Sequence, residues 1–158
     1  PVMAVSETLK GYLDSLGIAY DVARHPREVV STRIARKAHI PGERLAKAVL
    51  LSSGRGHLLA LVPASRHVDL AALGARVGRP VALAPEEEIS ALFADCEPGA
   101  IPACGEAYGI PCLMDEALAA VDEVYFEAGD HVSLIHMTGD DFARLMAHAE
   151  RAPIATAH

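Results

Sequence analysis

Apolar residues recur at helical spacing from Leu9 through Leu13 to Leu16, with Ser6 ahead of them as a cap and Gly17 behind as a stop. This pattern predicts an amphipathic first helix. Ile18, Tyr20 and Val22 then alternate with Ala19, Asp21 and Ala23, the period of a strand, until His25-Pro26 interrupts it. Ser31 or Thr32 is suited to cap a short helix through His39, which Pro41-Gly42 ends. The apolar runs 47–53 and 57–62 flank Gly54-Arg55-Gly56. That arrangement is a hairpin signature and marks the expected centre of a sheet. Asp69 opens a helix toward Gly78, Pro85 opens another through Phe93, and the Pro/Gly-rich stretch 97–111 reads as a loop. Runs 124–127 and 131–136 predict two more strands joined through Ala128-Gly129-Asp130. A last helix, capped near Asp140, carries Phe142, Leu145 and Met146, and residues 156–158 are expected to fray.

Short strands joined by both hairpins and helices predict an α+β domain with a mixed, partly antiparallel sheet, in preference to a doubly wound parallel one. At 158 residues, 51% of them apolar, the chain fits one domain over 1–158. A chain of this size buries about 70% of its unfolded surface, so it needs neither disulfides nor a metal for stability. No apolar run approaches the roughly 20 residues that span a bilayer. Residues 1–7 also lack the basic-then-apolar pattern of a signal peptide. A cytoplasmic protein without membrane contacts is expected. Cys96, Cys104 and Cys112 form an odd set with no CxxC pair and are expected to be free thiols.

Charge changes this picture. The net charge of −7 argues against general nucleic-acid binding, and DNA is not an expected partner. Yet residues 24–79 carry eleven bases against three acids, whereas residues 80–143 carry fourteen acids and no Lys or Arg. Two solvated faces of one domain would account for the segregation. So would a local basic patch for phosphates, of the extent that a tRNA acceptor end would touch. Aromatic residues are only 4% of the chain and Trp is absent, so stacking platforms for single-stranded bases are scarce.

Common catalytic signatures are missing: there is no GxSxG, GxxxxGK[ST], HExxH or GxGxxG. The eight histidines and three cysteines lack the paired spacing of a structural zinc site, so no metal and no cofactor are expected. His136 shares strand parity with Leu134 and Val132 and reads as a packed or hydrogen-bonded histidine. Nothing marks one cysteine as a nucleophile. Two features remain. Lys47 interrupts the apolar run Leu45-Ala46-Lys47-Ala48-Val49-Leu50-Leu51. It is either an edge lysine that snorkels to water or an ammonium in a cleft, able to hold a phosphate, a carboxylate or a developing oxyanion. The loop 97–105 holds Gly99, Ala100, Ile101, Pro102 and Ala103. It is either a turn or a stiffened segment that offers backbone N–H groups to a ligand.

In their order these segments resemble the YbaK/ProX family of aminoacyl-tRNA editing domains, which includes the insertion domain of bacterial prolyl-tRNA synthetases. The likeness runs through Gly17-Ile18-Ala19-Tyr20, His25-Pro26, Ser31-Thr32, Leu45-Ala46-Lys47-Ala48-Val49-Leu50 and Ala60-Leu61-Val62-Pro63. It continues through the loop 99–105, Tyr108-Gly109-Ile110-Pro111 and Val124-Tyr125-Phe126-Glu127-Ala128-Gly129. The resemblance implies a curved mixed sheet flanked by helices and hydrolysis of mischarged tRNA. It implies Lys47 as the principal functional residue, a GxxxP loop that shapes the aminoacyl pocket, and Thr32, Ser65 and His131 near that pocket. A helix cap, a turn hydroxyl and a solvated strand end are the structural alternatives for those three. Counted from Gly99, the proline of GxxxP falls at Ala103, and this chain carries it one position early, at Pro102.

With no metal motif and no activated nucleophile, ester cleavage would rely on positioning, electrostatics and attack by water. The expected activity is that of a freestanding deacylase acting on a small aminoacyl group, Ala, Cys or Ser, on tRNA-Pro. Arg33, Arg36 and Lys37 are its expected tRNA contacts, an aminoacyl-tRNA synthetase is an expected partner, and a monomer or weak dimer is the expected state. The alternatives are a non-catalytic ligand- or partner-binding regulatory module on the same fold, and an unrelated hydrolase that uses a histidine or cysteine.

Overall fold

A computed structural model describes residues 5–157 of the chain. Most of the N-terminal stretch read for a signal peptide, and His158 of the expected frayed end, lie outside those residues. Ser6 Oγ accepts the Leu9 N–H at the start of α1 (Glu7–Leu16), and Gly17 closes the helix at φ +65°. The Gly17 N–H bonds Asp14 O and the Ile18 N–H bonds Leu13 O, the Schellman pattern. That reversal swings Ile18 into the core, while Leu16, expected on the apolar stripe, is 40% exposed. The next strand is shorter than the alternation suggests: β1 spans Asp21–Arg24. Helix α2 (Ser31–Lys37) starts from Val30 with no side-chain cap, so Ser31 and Thr32 lie in its first turn and neither caps it. The reason is local, because the Glu28 carboxylate already binds the Val29 and Val30 N–H groups.

The hairpin forms as its glycine-bearing loop predicts, with β2 (Leu45–Ser52) antiparallel to β3 (His57–Pro63). After β4 (Arg66–Val68), Asp69 caps α3 (Leu70–Val77) through the Ala72 N–H, and Gly78 ends the helix in the left-handed conformation. The short β5 (Ala82–Leu83) and α4 (Glu86–Leu92) precede the long loop. Beyond the loop come β6 (Cys112–Asp115), β7 (Glu123–Glu127), β8 (Ser133–Thr138), α5 (Gly139–Leu145), β9 (Glu150–Ala152) and β10 (Ala155–Ala157). Three expectations change here. His131 precedes β8 and does not begin it, because its backbone turns back at φ +62°. Thr138 caps α5 by accepting the Asp141 N–H, so Asp140 is not the cap. Residues 156 and 157 do not fray, because β10 pairs with β4 and the Asp115 carboxylate binds the N–H groups of Ile154 and Ala155 just before.

The main sheet runs β1-β8-β7-β2-β3-β6-β9, with β5 added on β2. It is mixed: β7 joins β2, β3 joins β6 and β6 joins β9 in parallel, and the remaining pairs are antiparallel. Helices α1 and α5 cover one face, where Leu9, Leu13, Phe142 and Leu145 pack on Ala46, Leu50, Leu59, Leu61 and Phe126. On the other face Ile34 and Ala35 of α2 pack on Leu45 and Leu134, and Leu73 of α3 packs with Leu51, Ala60 and Val62. Each fully buried leucine contributes about 2 kcal/mol, so these faces hold the helices firmly on the sheet. The second face carries two separate clusters, with a seam between them.

Candidate active site

Lys47 stands in that seam. Side chains alternate along a strand, so Ala46 and Leu50 face α1 and α5, whereas Leu45, Lys47 and Leu51 point the other way. Leu45 joins the cluster under α2 and Leu51 the cluster under α3, leaving Lys47 between them. It is not an edge lysine, because β2 has β7 on one side and β3 on the other. Burial lowers its pKa from the ordinary lysine value. No hydrogen bond or ion pair to its ammonium occurs among the described residues. The pocket around it is lined by Ser31 and Ile34 of α2, by Gly99 and Ile101 of the loop, and by Glu127 at the end of β7.

The loop owes its shape to a tight turn. Ala100 N–H bonds Glu97 O, with Pro98 and Gly99 between them and Gly99 at φ +83°. Proline then left-handed glycine is the sequence of a type II turn. Glu97 is held from outside by both terminal nitrogens of Arg27, at 3.2 and 2.9 Å, and its N–H bonds Gly129 O. His131 Nε2 donates to Pro98 O at 2.6 Å, and a carbonyl can only accept, so the proton lies on Nε2. Of the five loop residues singled out, Gly99 and Ile101 line the pocket, while Ala100, Pro102 and Ala103 are buried away from it. Ala100 N–H is taken by the turn. The N–H groups of Gly99 and Ile101 have no partner among the described residues, and both residues line the pocket.

The other residues read from the sequence are more scattered. Thr32 is exposed on α2 beside the pocket-lining Ser31. Ser65 lies in the β3–β4 turn and donates to Glu43, outside the lining. His131 is buried behind the loop; it is neither a solvated strand end nor among the lining residues. Arg33 and Arg36 are exposed on α2 and have no ion pair among the described residues, whereas Lys37 pairs with Glu28 at 3.1 Å. His136 is hydrogen-bonded as its parity suggests, to Asp21 at 2.6 Å and Glu123 at 2.9 Å, and stacks on Tyr125. Burial pushes the thiol of Cys96 up to about 11 and that of Cys104 up to about 12, and also raises Cys112, so none is poised as a thiolate at neutral pH.

Residue-by-residue reading gives no role to Glu127 or His25. Glu127 ends the run Val124-Tyr125-Phe126, and its carboxyl lies between two buried imidazoles. His25 Nε2 is 3.9 Å from one oxygen and His131 Nδ1 is 3.5 Å from the other. All four of these atoms are buried without a hydrogen bond. Desolvation, reinforced by Asp130 and Glu97, raises the Glu127 carboxyl to about 8. The available signal is an acid at the buried end of an apolar strand, four residues before a histidine.

The fold is shared with solved proteins of low identity. One, a candidate trans-editing enzyme for prolyl-tRNA synthetase, is 22% identical with a TM-score of 0.85, over 99% of this chain and 100% of that one. The hypothetical protein APE2540 is 16% identical with a TM-score of 0.83, over 95% of this chain and all of the other. A candidate signal transduction protein from Marinobacter aquaeolei VT8 is 23% identical with a TM-score of 0.76; the match covers 94% of this chain but 30% of that one, so the fold also occurs within a larger protein. No curated protein matches the chain. Among the described residues no helix is long and apolar enough to cross a membrane. The model of the aminoacyl-tRNA editing domain matches residues 25–145, and the chain belongs to that family.

Proposed function

We propose that residues 1–158 act as one editing domain, a freestanding aminoacyl-tRNA deacylase that hydrolyses the ester of a mischarged tRNA carrying Ala, Cys or Ser on tRNA-Pro. The observation that carries this reading is the unpartnered Lys47 ammonium, half-buried opposite the Gly99 turn in a polar pocket. The family match supports the reaction class, and the likeness to a candidate trans-editing enzyme for prolyl-tRNA synthetase supports the proline system and a synthetase partner. In the reaction water adds to the ester carbonyl, the bond from that carbon to the ribose oxygen breaks, and the ribose hydroxyl recovers a proton. Lys47 anchors the 3′-terminal nucleotide or stabilises the oxyanion, Gly99 N–H orients the carbonyl, and the vicinal ribose hydroxyl positions the water. An aminoacyl ester is already activated, so electrostatic stabilisation of this kind suffices. Arg33 and Arg36 on α2 offer free guanidinium groups to the acceptor-end phosphates at the same side of the pocket.

The test is hydrolysis of tRNAs charged with alanine, cysteine, serine and proline by the wild type and Lys47→Ala. Losing one such stabilising group costs about 3 kcal/mol, so the variant is expected to lose on the order of a hundredfold in rate with its fold intact. Selective, Lys47-dependent release of one amino acid identifies the substrate. Silence across the panel from folded protein would point instead to a binding module that uses the same pocket. Release that survives Lys47→Ala but is lost on His131 substitution or thiol modification would point to the unrelated hydrolase.

A further inference from the structure

Lys47 and Glu127 occupy matching places on neighbouring parallel strands. Ala46 pairs with Phe126 in the β2–β7 register, and each of the two residues follows its pair by one position. Both line one pocket, yet they form no ion pair. The pocket therefore holds an unpartnered cation and, in its wall, an acid whose two oxygens are buried between His25 and His131 without a hydrogen bond.

The surroundings of the acid show what it lacks. His25 Nδ1 is 2.7 Å from Pro26 O and His131 Nε2 is 2.6 Å from Pro98 O, and each must donate, since carbonyls only accept. In the neutral rings this leaves His25 Nε2 and His131 Nδ1 as lone pairs aimed at the two Glu127 oxygens. While Glu127 is ionised, acceptors face acceptors on both sides and no described residue supplies it with a donor. Its raised carboxyl pKa means that the site relieves this by holding a proton, which an incoming cation displaces. The chemistry that completes this cluster is a positively charged group with several N–H donors.

We infer that Glu127 receives the α-ammonium of the aminoacyl group. This rests on the deacylase reading. In an aminoacyl ester the α-ammonium lies on the carbon next to the carbonyl, so a carbonyl held at Gly99 N–H with its oxyanion toward Lys47 carries the ammonium into the same pocket. The raised carboxyl pKa is what an anion site shows when its cation is absent. The consequence is selectivity by charge: a free α-amino group is accepted, whereas peptidyl and N-formyl esters, which have no ammonium, are rejected. Proline keeps an ammonium, so its exclusion falls to the shape of the loop and not to Glu127.

The experiment measures alanyl-, seryl- and cysteinyl-tRNA and compares the first two with the α-hydroxyacyl-tRNAs made from them by nitrous acid, which replaces the ammonium by a hydroxyl of similar size. Each rate is divided by that of the uncatalysed hydrolysis, and the wild type is measured beside Glu127→Gln. A hydrogen bond to a charged group predicts that the wild type loses about tenfold or more in kcat/KM on deamination of its substrate. The Gln variant should be slowed by a similar factor on the aminoacyl ester and lose little more on the hydroxy ester, the coupling of a double-mutant cycle. Equal losses on deamination in both proteins would overturn the assignment and leave the deacylase reading standing. A wild type indifferent to deamination would overturn it without any variant, which covers a Gln variant that does not fold. A wild type inert on all three aminoacyl esters would overturn the deacylase reading. In that case binding of 3′-alanylamino-3′-deoxyadenosine and its N-acetyl form decides the ammonium site separately, and equal affinity for the two would sink it.

Discussion

At Lys47 one ammonium interrupts a strand face whose neighbours Leu45 and Leu51 are buried. Solvent still reaches it, so its desolvation cost is modest, about 1 kcal/mol. Lys47→Met keeps the apolar stem and removes the charge. We expect deacylation to be lost and the melting temperature to rise by about 2–4 °C, the shift that 1 kcal/mol brings to a chain of this size. A fall in melting temperature on calorimetry would mean that the ammonium has a stabilising partner. Glu127 makes stability depend on pH. Its carboxyl is raised from 4.5 to about 8, so the folded protein keeps a proton that the unfolded chain has released. Its contribution to stability is full below the unfolded value and is lost as pH rises through about 8. His25, His131, Asp130 and Glu97 face or surround it, so the comparison must be differential: urea midpoints at several pH values should fall less steeply with pH for Glu127→Gln than for the wild type. Parallel slopes would show that Glu127 is ionised throughout.

The elements legible in the chain are those with a local code. Ser6 and Gly17 bracket α1, Asp69 and Gly78 bracket α3, and Gly54 and Gly56 mark the β2–β3 hairpin. Strand β6 escaped, because all four of its residues are buried and show no alternation; β9 and β10, of three residues each, are too short to carry a period. The Gly99 loop was legible as a loop, but its shape depends on a residue far along the chain, since His131 holds Pro98 O. Gly99→Ala should cost roughly 1 kcal/mol in the left-handed conformation. Its Cβ would also lie 3.4 Å from His131 Cε1. We expect deacylation to fall while the global unfolding midpoint moves little, and unchanged kcat/KM would show that the turn does not shape the pocket. For α2, charge reversal at Arg33 and Arg36 should weaken tRNA binding and flatten its dependence on salt. Salt-independent binding by the wild type would remove the helix as a phosphate surface.

Over the whole molecule the segregated charges meet. Arg27, Arg44 and Arg76, from the basic stretch, pair with Glu97, Glu123 and Glu150. Two of the eleven bases of residues 24–79, Arg27 and Arg44, thus pair with acids of residues 80–143, while Arg33 and Arg36, like Arg24 and Arg55, have no ion pair among the described residues. The carboxy-terminal strands are tied down by Asp115, which accepts N–H groups from Ala117, Ile154 and Ala155. Asp115→Ala leaves those donors without partners, and we expect a loss of about 2–4 kcal/mol in urea unfolding. A loss under 1 kcal/mol would show that β10 is held by other contacts. From sequence alone came the α+β class, the bracketed helices, the central hairpin and the oddity of Lys47, because caps, turns and alternation are written in windows of a few residues. Only the tertiary structure decided that Glu127 ends beside Lys47, that His25 and His131 flank it, and that Pro98 is anchored from behind. Those placements depend on parallel pairing of β2 with β7 and on contacts between residues far apart in the chain, and no local window carries the free energy of such contacts.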